Sequence, residues 1–161
     1  MTQVGPAHFH VAQVNVARLR VPLDHPSSLA FVAGLEPINA LADRSPGFVW
    51  RLQSEGGDAT SLRVFDDEMV IINLSVWESV DSLRAFVFSS DHADYLRRRS
   101  EWFERLAVAS TALWWVVPGT TPTVDEATSR LEMVRTVGPT PASFTLRDVR
   151  EPAVMSGAEA P

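Results

Sequence analysis

His92 is the side chain with the clearest means of moving a proton near neutral pH. Helical spacing carries its segment from Asp91 to Leu106, with His92, Leu96, Arg99, Phe103 and Leu106 along one stripe and Tyr95 and Trp102 beside it. Asp91 is the expected cap, with Asp94 as its capping-box partner. An imidazole therefore stands in the first turn of a largely apolar face. The positive end of the helix dipole disfavours imidazolium, so a neutral histidine that accepts or relays a proton follows. The plainer alternative is a structural histidine that bonds a backbone group or points to water.

Polar groups that could work with it lie on two strands. In Phe9 to Val16, alternation puts Phe9, Val11, Gln13 and Asn15 on one face and His10, Ala12, Val14 and Val16 on the other. In Met69 to Trp77, Asn73 and Ser75 share a face in the same way. If the two strands are neighbours, the four polar side chains converge. Trp50, Trp77 and Trp102 could wall a pocket, although aromatic residues more often fill a core. Asn39, just past Pro37, could reach the interior, or bond carbonyls that the proline has freed. Such a set could take a proton from a small acidic substrate. An imidazole or amide takes a proton from an acidic phenol or β-dicarbonyl, donors hold the enolate, and aromatic walls exclude water. The binding set read in this way is Gln13, Asn39, Trp50, Asn73, Ser75, Tyr95 and Trp102.

Other chemistries find less support. His8-x-His10 has strand spacing for a metal pair, but no third ligand follows, and no metal is expected. There is no Gly-rich nucleotide fingerprint and no G-x-S-x-G elbow, so no cofactor is expected either. Cysteine is absent, which excludes disulfides and thiolate chemistry. A net charge of −6 argues against nucleic acid, and Arg97-Arg98-Arg99 reads as a helix face paired with Glu101. No apolar run approaches a membrane span and the start lacks a signal-peptide pattern, so a cytoplasmic protein is expected.

The positioning elements follow from the pattern. The 161 residues read as one domain over 8–150 with a loose tail over 151–161. After the first strand, Ser27 or Ser28 caps a helix to about Asp43, with a kink or break expected at Pro37. Phe48 to Leu52 is a strand with Phe48, Trp50 and Leu52 on one face, and the polar stretch from Gln53 to Glu68 is a lid candidate. Ser79 caps the helix after Trp77. Thr111 to Val117 is the fourth strand, and Thr123-x-x-Glu126 opens a last helix to about Arg135, with Phe144 to Leu146 as a short edge strand. This is an α+β, ferredoxin-like βαββαβ order with a split second helix and a C-terminal helix. Adjacent Trp114 and Trp115 make both sheet faces apolar. Helices would cover one face, and a second copy of the chain is the expected cover for the other.

Val76-Trp77-Glu78-Ser79, then Leu83, then Ser90-Asp91-His92 before a helix resembles the motif of antibiotic-biosynthesis-monooxygenase-type dimeric α+β barrels. The stretch from His10 to about Arg147 more closely resembles an uncharacterised bacterial family of that superfamily. His10-Val-Ala-Gln13-Val-Asn15, Ser45-Pro46-Gly47-Phe48-Val49-Trp50-Arg51-Leu52, Leu96-Arg-Arg-Arg-Ser-Glu-Trp102-Phe103 and Leu113-Trp114-Trp115 carry the match. The resemblance implies a homodimeric barrel. It also implies cofactor-independent oxygenase or cyclase chemistry, catalytic roles for Asn15, Trp77 and His92, and an aromatic or polyketide-like small-molecule ligand. Within the superfamily the alternatives are a non-catalytic binding or stress-response barrel and a haem-binding or haem-degrading protein. The fifteen positions from Trp77 to His92 are more than haem degraders are expected to have.

Overall fold

The computed structural model describes residues 9–53 and 67–152, apart from the side chain of Ser90. Expectations for Met1 to His8, for most of the Gln53 to Glu68 loop and for the end of the tail lie outside the described residues.

Four strands form one antiparallel sheet: β1 (His10–Arg18), β2 (Phe48–Arg51), β3 (Val70–Trp77) and β4 (Thr111–Val116). Their order is β2-β3-β1-β4, the ferredoxin-like arrangement in which each helical crossover skips one strand. α1 (Leu29–Asp43) joins β1 to β2; α2 (Val80–Val87), α3 (Ser90–Arg97) and α4 (Arg99–Trp102) join β3 to β4; α5 (Val124–Val137) follows β4.

Period-2 alternation on β1 separates two cores. Val11 faces a cluster with Trp77, Leu83, Leu113 and Phe144 on the side of α1 and α2. Ala12, Val14 and Val16 face Leu74, Val76 and Trp114 on the other side, where Ala127, Leu131 and Val134 of α5 close over them. A second copy of the chain is the cover that the sequence predicts for that face. Within the chain, the last helix packs on that face, because the apolar positions of α5 return to β1 and β4. Ser79 and Ser82 form the reciprocal capping box of α2, and the Thr123 side chain accepts the Glu126 N–H at the start of α5. Phe144 and Leu113 exchange two backbone hydrogen bonds of 2.7 and 2.8 Å, a single edge pair where a short edge strand is expected.

Three local expectations are corrected. Of the kink or break expected at Pro37 the break does not occur, since α1 continues as helix on both sides of it, and its start is prepared by a 3-10 turn in which His25 Nδ1 accepts the Ser27 N–H. α3 begins at Ser90, with Ser89 rather than Asp91 at the N-cap, because the chain is already extended at Ser89 after α2 ends. The stripe to Leu106 does not stay helical. Arg98 lies between α3 and α4, and Phe103 is extended and bridges to Leu19. Arg20 N–H donates to the Trp102 carbonyl and Glu104 N–H to the Arg18 carbonyl, each at 2.8 Å. Pairing with the chain beyond β1 thus satisfies backbone groups that another helical turn would otherwise have used.

Candidate functional site

A cavity of about 570 Å³ lies between the Gln13 face of the sheet and helices α1 to α4. That is within the range of small-molecule sites.

Register builds the floor. Gln13 stands opposite Ser75 and Asn15 opposite Asn73 in the β1–β3 pair, so the four polar side chains meet as their alternation predicts. Asn15 Nδ2 donates to Thr111 Oγ1 at 2.9 Å, a bond supplied by the first residue of β4. Ser75 Oγ donates to Gln13 Oε1 at 3.1 Å and accepts from Trp77 Nε1 at 3.0 Å. Asn73 is exposed and stands at the mouth. Asn39 lines the cavity from α1, and no hydrogen bond to a freed helix carbonyl is found for it among the described residues.

Trp77 is 1% exposed. Its one polar atom is engaged by Ser75, so what it offers the cavity is its ring. Phe86 stacks on that ring at 5.2 Å and Phe48 meets it edge-on at 5.4 Å. Phe86 also lies 4.8 Å from the His92 ring, which makes a continuous aromatic wall from sheet to helix.

His92 occupies the first turn of α3 and lines the cavity. Its Nδ1 is 2.9 Å from the Val87 carbonyl, the oxygen near the end of the preceding helix. A carbonyl can only accept, so Nδ1 carries the proton and Nε2 keeps the lone pair. Burial lowers the His92 pKa from its ordinary value of 6.5, and the Val87 hydrogen bond opposes that shift in part. The ring is therefore neutral at pH 7, with its basic nitrogen on the edge away from Val87. The backbone bond that a structural histidine would make and, among the described residues, the unpartnered nitrogen that a proton acceptor needs occur on one ring.

Tyr95 and Trp102 line the far wall 5.8 Å apart, and the Arg98 guanidinium covers the Trp102 ring at 4.8 Å. Phe31 of α1 completes this wall, 5.6 Å from Trp102. Gly34 lets α1 approach, since a Cβ there would overlap the Tyr95 ring. Arg99 and Arg105 stand among the lining residues towards solvent.

Trp50 does not join them. Phe48 pairs with Trp77 and Trp50 with Val76, so Val49 is an extra residue, a β-bulge. The bulge leaves Phe48 on the cavity face and turns Trp50 and Leu52 to the core beneath α5. Trp50 is withdrawn from the binding set. Phe86, Gly34 and Thr111 join the site without having been predicted from the sequence. Thr111 becomes visible once β4 is paired with β1, opposite Asn15; Gly34 has no local signal, because its partner Tyr95 is remote in sequence.

Among the described residues no cluster of His, Cys, Asp or Glu could hold a metal ion. Nor is any helix long and apolar enough to cross a membrane.

Comparison with curated proteins gives no match. Among solved structures the chain is similar to Rv0793 from Mycobacterium tuberculosis, at 16% identity over 71% of this chain and 99% of that one, with a TM-score of 0.48. SO0527 from Shewanella oneidensis follows at 11% identity over 68% and 93%, with a TM-score of 0.49. SnoaB, a cofactor-independent oxygenase from Streptomyces nogalater, is 17% identical over 71% and 99%, with a TM-score of 0.46. Similarity of this degree lends the chain no activity. A family model covers nearly all of it, and the chain belongs to the family described as Domain of unknown function (DUF3291), matched over residues 10–159.

Proposed function

We propose that this protein is a small-molecule enzyme that removes a proton from an aromatic or polyketide-like substrate without a tightly held cofactor. One observation carries the reading: a neutral imidazole whose Nε2 has no partner among the described residues lines a cavity that has an aromatic wall and an amide-bearing floor. A phenol or β-dicarbonyl gives its proton to His92 Nε2, and the electron pair stays on the substrate as phenolate or enolate. Gln13, Asn15 and Asn73 offer polar contacts to that anion, and Trp77, Phe86, Tyr95 and Trp102 hold the ring and limit water.

Two outcomes are open to such an anion. It can attack an electrophilic carbon of the same molecule and close a ring. It can instead reduce dioxygen: a CH2 group becomes C=O, one oxygen atom is retained, and the other leaves as water with the two hydrogens. Either outcome uses the same base. The homodimer expected from the sequence stays part of the proposal, and sedimentation of the purified protein at micromolar concentration tests it.

The test is a panel of polycyclic phenols and β-dicarbonyls incubated aerobically with the purified protein, with oxygen uptake and products followed. Turnover that falls by about 10²–10⁴ in His92→Ala, with folding retained, supports the reading. Binding without turnover across the panel would favour a non-catalytic binding protein, and a haem absorption band in the purified material would favour a haem protein.

A further inference from the structure

We propose that the Gln13 side-chain amide is the cavity's anion-holding donor, aimed by a one-way relay from Trp77 through Ser75, and that the cavity selects the ionised form of a phenol or enolisable carbonyl. This rests on the cavity being a small-molecule site, as above, and adds which form of the ligand it takes and which group holds it.

The direction of the relay follows from donor chemistry. An indole N–H can only donate, so at 3.0 Å from Ser75 Oγ it fixes the hydroxyl oxygen as its acceptor. Ser75 is 6% exposed, and its single proton needs a partner. Gln13 Oε1, at 3.1 Å, is the one acceptor found for it among the described residues. The opposite amide orientation would set Gln13 N–H donors against a hydroxyl already receiving the indole proton, and would leave the Ser75 proton unpaired. The amide therefore keeps its carbonyl towards Ser75 and its NH2 free of protein partners among the described residues. Gln13 lines the cavity, half-buried.

Two donors in series withdraw charge from the Gln13 carbonyl and strengthen its NH2 as a donor. Trp77 and Ser75 act here as positioning residues; Gln13 is the group that meets the ligand. A neutral phenol can satisfy such a donor, but a phenolate or enolate oxygen satisfies it better, since hydrogen bonds to a charged acceptor are the stronger ones. The group is fixed in place before the ligand arrives, as an oxyanion donor has to be.

The probe is 4-nitrophenol, whose colour reports its ionisation, with nitrobenzene as the same ring without the hydroxyl. Absorbance titration gives the phenolate-to-phenol ratio on the protein as a function of pH. Gln13→Met, which keeps length and removes the donor, should lower that ratio by about tenfold to a hundredfold while nitrobenzene binding stays unchanged. Ser75→Ala leaves Gln13 in place but frees its amide to turn, and should lower the ratio severalfold. An unchanged ratio in Gln13→Met overturns the assignment. A full ratio in folded Ser75→Ala overturns the relay. Failure of both probes to bind at millimolar concentration overturns this inference and the cavity reading together. Binding of both probes with a ratio that Gln13→Met leaves unchanged overturns this inference alone and leaves the cavity reading standing.

Discussion

Gly34→Ala puts an energetic sign at stake. In an exposed helix interior, alanine is better than glycine by about 1 kcal/mol. Gly34 is buried in α1, and a Cβ there would overlap the Tyr95 ring carbons and hydroxyl. The ring has little room to yield, because Trp102 lies 5.8 Å away and is itself 2% exposed beside Phe31. Overpacking of this kind costs about 1–3 kcal/mol. Subtracting the propensity gain leaves a net loss of about 0–2 kcal/mol. Urea unfolding of the wild type, Gly34→Ala, Tyr95→Leu and the double variant measures the terms separately. The expected pattern is non-additive. Alanine should be neutral or harmful beside Tyr95 and should recover its helix advantage in the double variant, where the ring is gone, a coupling of about 1 kcal/mol or more. Stabilisation of about 1 kcal/mol by Gly34→Ala alone, with additive energies, would refute the contact.

Phe144 has no exposed surface and holds the segment after α5 against β4, so Phe144→Ala should cost about 3–5 kcal/mol in denaturant unfolding; a loss of less than about 1 kcal/mol would show that the segment does not dock. His92 gives stability a defined pH dependence. Its folded pKa lies below the ordinary 6.5, so between 6.5 and that lower value the unfolded chain binds more protons. Stability should then fall as pH falls through this window, relative to His92→Gln, by at most about 1.4 kcal/mol per pH unit for one proton. A difference that is flat with pH, or that grows in favour of the wild type on acidification, would contradict the shift.

Much of the site is legible because it rests on local alternation. Gln13 and Asn15 share a face whatever else the chain does, and so do Asn73 and Ser75; antiparallel pairing of two central strands then brings the pairs together. The sites that resist reading depend on remote contacts. The extra residue at Val49 turns Trp50 away from the face that strict alternation assigns to it, and nothing in the sequence of that short strand marks the bulge. The stripe through Leu106 has sound helical spacing, yet Phe103 leaves the helix because backbone groups near Arg18 and Arg20 are available to pair. The covering of the second sheet face by α5 requires knowing where a helix docks, and its apolar positions alone are equally consistent with packing elsewhere. The first-turn position of His92 is legible although its cap is not, because helix ends shift by a residue or two without moving the face a side chain shares.

In the proposed chemistry His92 is a neutral proton acceptor whose Nε2 has no partner among the described residues. The most direct measurement is a pH titration of its ring nitrogens by ¹⁵N NMR, assigned by comparison with His92→Gln. The ring should be neutral at pH 7 with the proton on Nδ1, held by the Val87 carbonyl, and an apparent pKa below 6.5. A proton on Nε2 in the neutral form, or a pKa above 6.5, would contradict it.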